Sequence, residues 1–263
     1  MPAARPPARP AAGRPSRAGL LLGALLLTAG CAAADGSADR ARGGGPAREL
    51  TAAELRAAAV TDADLGPGYT VTVMTPGHGE TGSGGGRESA DPPVCQPLLD
   101  AVSPVAAGGA SAAPGPAVPY AETDLSVARA ADPEGGVYGG LLGYRGDRAA
   151  RLQAELEGLF GACASFVSTA PPPPSEKGRK EVRTRHRLSR NDTPTPGGAD
   201  AVTGFTLTNE SATAVLAQRA VLARVGPALV VFSTVGVGAE PAPEPDERIV
   251  GRQVARLRAA QRG

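Results

Sequence analysis

The run of residues 20–31 most constrains what this chain can fold into, because it separates a segment for export from the part that folds. Residues 1–19 carry four arginines and no acid, residues 20–27 are apolar, and small residues precede Cys31. The apolar run is too short to span a bilayer as a permanent helix. The pattern predicts a signal peptide over residues 1–30, which leaves the remaining residues to form the mature protein.

The residues around Cys31 suggest how the mature chain is held. Thr28, Ala29 and Gly30 suit a peptidase pocket, and the following thiol is the atom that would be acylated. The segment resembles the lipobox of bacterial lipoproteins, with Thr28 where leucine is usual. That resemblance implies a diacylglyceryl group and a palmitate-type chain on Cys31, which would anchor the protein to the extracytoplasmic face of the cell membrane. The alternative is an ordinary secretory signal with Cys31 incidental.

Composition divides the mature chain into a tether and a single domain. Residues 31–47 are mostly Ala and Gly, with Ser, Asp, Arg and Pro and no periodicity, which predicts a flexible tether spanning about 20–25 Å. Residues 48–263 are predicted to form one extracytoplasmic domain. Without the four arginines of residues 1–30, 23 basic residues face 26 acidic ones, so a nucleic-acid partner is not expected.

Local patterns predict an α+β fold. Thr51 and Glu54 form a capping-box pattern at the start of a helix, and further helical turns are predicted at 61–65 and 94–102, after Asp147, and around Val250. Alternation of apolar and polar residues predicts strands at 69–74, 120–130, 137–144, 179–190, 200–209, 213–224 and 228–236. Short turns between successive strands indicate an antiparallel sheet of about six or seven strands, packed by three or four helices.

The two cysteines that follow Cys31 are predicted to pair. Cys163 continues an apolar helical stripe that starts at Leu152 and ends at Phe166, and Cys95 lies in a short helical segment. In an oxidising compartment such cysteines usually form a disulfide, which in the chain-entropy model would contribute about 4 kcal/mol. Two buried free thiols are the alternative. Pairing disfavours a cysteine nucleophile, and no metal site is expected.

One predicted strand carries a row of arginines. Arg183, Arg185 and Arg187 would line one face, while His186 and its even-numbered neighbours line the other. This row predicts contact with an anionic phospholipid, cell-wall polymer or protein partner, and a solvated sheet face is the alternative. His186 is predicted to be packed rather than catalytic, because no acid or nucleophile can be placed beside it.

Several short motifs together resemble a known family. They are residues 64–71 (DLGPGYTV), 94–99 (VCQPLL), 159–167 with Cys163, and 224–227 (RVGP). The chain resembles the PknH-like extracellular sensor-domain family, found on some actinobacterial serine/threonine kinases and in stand-alone lipoproteins. The resemblance implies an antiparallel sheet packed by helices, a cleft for an unknown ligand and no known catalysis. Members often carry two disulfides, whereas this chain can form one.

These features predict a non-enzymatic, lipid-anchored envelope protein that binds an unknown small ligand or envelope protein, without a cofactor. One alternative is a carrier of a lipid or other apolar molecule, with space left by strand glycines. A second alternative is an envelope hydrolase using Glu122 and Asp124, although Arg129 would lie on the opposite face of the same strand. The glycines of the carrier hypothesis are Gly139, Gly140, Gly143 and Gly204.

Overall fold

The computed structural model describes residues 47–74, 88–102, 119–172, 180–238 and 240–263, all within one compact unit, Gly44–Gly263. The predicted signal peptide, Cys31 and most of the tether lie outside the described residues, as do residues 103–118. None of the helices in the described ranges is both long and apolar enough to cross a membrane.

The described ranges contain nine strands, five α-helices and one 3₁₀ turn, Pro93–Cys95. The helices are α1 Ala52–Ala57, α2 Asp62–Leu65, α3 Gln96–Val102, α4 Arg148–Ala162 and α5 Glu247–Arg262. The strands are β1 Tyr69–Met74, β2 Ser89–Asp91, β3 Ala121–Arg129, β4 Asp132–Gly143, β5 Ser165–Ala170, β6 Val182–Asn191, β7 Ala201–Glu210, β8 Val215–Val225 and β9 Ala228–Val237.

The antiparallel α+β class is confirmed, but the predicted numbers of strands and helices were too low. Strand β2 has only three residues, too few to show alternation. Strand β5 lies where the apolar stripe of α4 was predicted to continue. The helix ends at Ala162, and Phe166 belongs to the strand. Serine, threonine, valine and phenylalanine after Cys163 favour an extended backbone, which overrides the helical spacing.

The nine described strands belong to a single sheet in the order β1-β3-β4-β9-β8-β7-β6-β5-β2, and the pairings between them are antiparallel. Strand β9 is central in the sheet: it has neighbours on both sides, and its residues 229–232 are all buried. The β3–β4 hairpin is tighter than predicted, because β4 already begins at Asp132.

Helices cover different parts of the two sheet faces. The front face, which carries Leu125 and Phe232, packs against α1, α2 and α5 over β1, β3, β4, β8 and β9. The back face, which carries Leu142 and Phe205, packs against α3 and α4 and extends to β5 and β2. The front of β5 and β6 contributes no residue to either core, and none of the described helices covers that part of the sheet.

Local sequence signals set the first helices. Thr51 accepts a hydrogen bond from the Glu54 backbone at 3.3 Å, and Glu54 accepts one from the Thr51 backbone at 2.9 Å, so the predicted capping box is present. Leu55 is fully buried in the front core. The chain then turns into β1 through Gly66 and Gly68, whose φ values of 86° and 87° favour glycine.

The predicted disulfide between Cys95 and Cys163 is present. Its Cα atoms are 5.7 Å apart, and the two residues are separated by 68 positions in the chain. Both cysteines are fully buried in the back core. The bond therefore joins the 3₁₀ turn before α3 to the end of α4.

Candidate functional site

The basic surface, defined as Arg183, Arg185 and Arg187, lies on the front face of β6. All three side chains are exposed, whereas His186 and Leu188 point into the back face and are buried. The predicted separation of the two faces of this strand is therefore present. Arg187 lies 3.5 Å from Glu210. Within the described residues, Arg183 and Arg185 form no ion pair.

A shallow open concavity of about 380 Å³ adjoins the basic surface. Arg183 and Arg185 form one wall, and the end of β7 with the turn that follows it forms the other. Because an anion placed here would meet two guanidinium groups without displacing an existing partner, the concavity is suited to carboxylate or phosphate. Its lining consists of Val167, Arg183, Thr184, Arg185, Glu210, Ser211 and Ala212.

A second polar feature crosses the back face as a chain of hydrogen bonds. Ser168 on β5 donates its hydroxyl proton to Glu88, and its Oγ lies 2.6 Å from Nε2 of His186 on β6. Nδ1 of His186 lies 2.7 Å from Oδ1 of Asn209 on β7, and Asn209 donates to Gln218 on β8 at 3.4 Å. Phe166 stacks on the imidazole with ring centroids 4.6 Å apart.

Both imidazole nitrogens of His186 have a polar partner: the Ser168 hydroxyl lies at Nε2 and the side-chain oxygen of Asn209 lies at Nδ1. Hydrogen bonding from His186 is the largest influence on Glu88 and holds its pKa below the ordinary value, against the opposing effect of burial. Nε2 of His186 lies 3.7 Å from the Glu88 carboxylate, with the Ser168 hydroxyl in contact with both groups.

The structure places Ser168 and Glu88 beside His186, neighbours that could not be assigned from the sequence. The prediction that the apolar helical stripe continues to Phe166 hid this contact, since Ser168 reaches His186 only from a strand paired with β6. His186 is packed, as predicted, with 3% of its side chain exposed. Ser168 is fully buried and gives its proton to Glu88 rather than to the imidazole. In this geometry the hydroxyl is not presented to a substrate.

The acids of the hydrolase alternative, Glu122 and Asp124, lie on the back face of β3. Each has one buried carboxyl oxygen, Oε1 and Oδ1 respectively, with no hydrogen-bond partner among the described residues. Burial, assisted by the neighbouring Asp124, raises the pKa of Glu122 to about 7, and burial also raises the pKa of Asp124. Arg129 lies on the front face, as predicted, and pairs with Asp246. The three residues therefore do not form one site.

The glycines of the carrier hypothesis leave little room beside the sheet. A Cβ atom added at Gly139 would lie 2.6 Å from the ring of Phe232, and one at Gly204 would lie 1.8 Å from Oγ1 of Thr193. At Gly143 the nearest atom is the Cβ of Ala121, at 3.3 Å. Neighbouring side chains therefore fill the space at these three positions.

Two other features of the described ranges bear on ligands. A cleft of about 270 Å³ lies between the β6–β7 loop and the start of α5, with Pro194, Pro196 and Pro245 at its walls and Val221 and Val250 in its lining. Within those ranges no group of three or more histidine, cysteine, aspartate or glutamate residues is arranged to hold a metal ion.

Comparisons with known proteins give weak likenesses only. No protein-family model matches this chain, and no curated protein matches it. One similar solved structure is the extracellular domain of PknH from Mycobacterium tuberculosis, with a TM-score of 0.45 and 14% identity, covering 82% of this chain and 98% of that one. Another is an uncharacterised protein from Mycobacterium smegmatis, a Rv0999 ortholog, with a TM-score of 0.37 and 13% identity, covering 80% of this chain and 98% of that one. Both TM-scores lie below 0.5, so neither structure is evidence for the function of this chain.

Proposed function

We propose that this protein is a non-catalytic, lipid-anchored binding domain of the cell envelope, which recognises an anionic partner through the basic surface. The observation that carries the proposal is the pair Arg183 and Arg185, exposed beside an open concavity and without an ion pair in the described part of the chain. A solvated sheet face, the alternative from the sequence, needs no concavity beside its charges.

The electrostatics of β6 support an anionic partner. Arginines at alternate positions of a strand project from the same face about 7 Å apart, and like charges at this spacing repel. Glu210 faces Arg185 across the two strands but forms its ion pair with Arg187, and no described acid forms an ion pair with Arg183 or Arg185. An anion in the concavity would relieve that repulsion and accept the forked hydrogen bonds of guanidinium groups.

The disulfide supports the proposed location. Disulfides persist in exported proteins and are rare in reducing compartments, so Cys95–Cys163 fits a domain outside the cytoplasm. In the proposal, acylated Cys31 holds the domain to the membrane, and the tether of residues 31–47 leaves it within about 20–25 Å of the surface. The basic surface would then meet partners that lie at or near the membrane.

Binding to defined anions tests the proposed function. The protein would be the mature chain with Cys31→Ser, exported through an oxidising compartment, and the probes would be phosphatidylglycerol-containing vesicles, polyphosphate and a glutamate-rich peptide. We expect at least one probe to bind, with an affinity that falls as salt is added. The double variant Arg183→Glu/Arg185→Glu should bind that probe about tenfold or more weakly, because charge-assisted contacts are lost.

The control is a charge-matched variant, Arg252→Glu/Arg262→Glu, which reverses two exposed arginines on α5. It has the same net charge as the test variant but leaves the basic surface intact. We expect its affinity to stay close to that of the parent chain. Equal losses in the two variants, or no binding of any anionic probe, would contradict the proposed function.

A further inference from the structure

The sheet has a step beside the basic surface. Strand β7 ends at Glu210, opposite Arg185, so the first three residues of β6 extend beyond it. Strand β6 pairs with β5 over residues 182–187, but it pairs with β7 only from Arg185 onwards, where Arg185 faces Glu210. Residues 182–184 therefore have β5 on one side and no described strand on the other. The concavity next to the basic surface lies at this step.

Alternation along β6 shows which backbone groups face the vacant side. Leu188 donates its backbone N–H to the carbonyl of Ala164, on the β5 side. Because successive residues of a strand direct their backbone groups to opposite sides, the even-numbered residues of β6 face β5 and the odd-numbered ones face β7. The N–H and C=O of Arg183 consequently point along the line of β7 into the step, where no described backbone group pairs with them.

The outer edges of the sheet are closed by side chains, in contrast to the step. At the β1 edge, Val71 donates its N–H to Asp62 at 2.6 Å. At the β2 edge, Gln96 accepts the N–H of Ala90 at 2.8 Å and donates to the carbonyl of Glu88 at 3.0 Å. Such caps prevent a new strand from adding to an edge. The step at Arg183 has no cap of this kind among the described residues.

We propose that the step binds an extended acidic segment of another envelope protein, which adds to the sheet next to Arg183. The inference rests on the proposed function and names the class of anionic partner. The segment would exchange backbone hydrogen bonds with Arg183 and place a carboxylate on the front face, toward Arg183 and Arg185. Because Glu210 of β7 already faces Arg185, the segment would place one carboxylate opposite Arg183, on the same face as the guanidinium group of Arg185.

A peptide fits this site better than a lipid or a wall polymer does. A phosphate group would satisfy the guanidinium groups but would leave the Arg183 backbone unpaired, whereas an extended peptide satisfies both. Glu210 defines one end of the binding segment, because it already pairs with Arg187 and would repel a carboxylate placed there. The acidic side chain is therefore expected opposite Arg183, on the side of the concavity away from Glu210.

The test compares peptides that differ only in backbone hydrogen bonding. The first probe is a short acetylated and amidated peptide of alternating glutamate and threonine, and the second is the same peptide with alternate amides methylated. We expect the first to bind the Cys31→Ser mature chain and to shift the Arg183 amide resonance. Methylation should weaken binding about tenfold, because it removes strand pairing and keeps the charge. The variant Arg183→Glu/Arg185→Glu should lose binding of the unmethylated peptide.

The outcomes separate this inference from the proposed function. If both peptides bind equally well, or if only vesicles or polyphosphate bind, then recognition is of charge alone. The strand-addition inference is then overturned and the proposed function stands. If no anionic probe binds the parent chain, both are overturned.

Discussion

Replacing Glu122 by glutamine should make the protein more stable at neutral and alkaline pH. Burial and the neighbouring Asp124 raise the pKa of Glu122 from 4.5 to about 7 in the folded protein. An acid whose pKa is raised by folding favours the folded state while it is protonated. In the parent chain, the stabilising contribution of protonated Glu122 to the free energy of unfolding should be complete at acidic pH. It should be lost as the pH rises from about 4.5 to about 7.

The size of the effect follows from the shift. At 1.36 kcal/mol for each pKa unit, a shift of this size corresponds to at most about 3 kcal/mol. Glu122 is only partly buried, and solvent screening reduces the expected loss to about 2 kcal/mol. Asp124 acts in the same direction, because burial raises its pKa too. Carboxyls whose pKa is lowered in the folded protein, such as Asp200 and Asp246, stabilise the folded state while they are ionised. Their contribution is lost only when the pH falls into the acidic range.

The assay is urea unfolding of the Cys31→Ser mature chain at a series of pH values between 4.5 and 8. We expect Glu122→Gln to match the parent near pH 4.5 and to exceed it by about 2 kcal/mol at pH 8. Glu181→Gln, which changes an exposed glutamate next to β6, is the control and should follow the parent throughout. A constant difference between Glu122→Gln and the parent across this range would refute the reasoning, because the effect would not depend on ionisation of Glu122.

Three further predictions concern the anchor, the disulfide and the polar chain. Cys31→Ser should move the protein from the membrane fraction to the soluble fraction, and unchanged fractionation would contradict the anchor. In that variant, thiol titration after denaturation should find no free thiol before reduction and both Cys95 and Cys163 after it, whereas reactive thiols before reduction would contradict the pairing. Ser168→Ala should lower the free energy of unfolding by about 1–3 kcal/mol, because His186 and the neighbouring carboxylate lose a shared buried hydroxyl. Unfolding in urea measures this loss, and an unchanged midpoint would show that the hydrogen bonds are not stabilising.

Features that depend on neighbours along the chain could be predicted from the sequence. The capping box of Thr51 and Glu54 involves residues three positions apart, and the turn at Gly226 lies between two strands that pair with each other. Alternation along 182–188 also predicted correctly that the arginines share one face, because the side-chain period of a strand does not depend on its partners.

The end of α4 shows where such local signals become ambiguous. Phe166 continues the helical spacing of the apolar stripe, yet it also lies in a segment rich in strand-forming residues. The pairing of β5 with β6 settles this competition, because the strand gains hydrogen bonds that a longer helix would lose. Without β5 in the prediction, Ser168 was not available as a neighbour of His186.

By itself, the sequence predicted an export signal, and it determined the class of the fold, the face on which the arginines of β6 lie and the cysteines available to pair. The tertiary structure decided the order of the nine strands, and with it the polar chain from Glu88 to Gln218 and the step at Arg183. The physical reason is that periodicity states which side chains share a face of one strand, whereas neighbours across a sheet depend on pairings between distant segments. The step depends on where two paired strands end relative to each other, which neither strand determines alone.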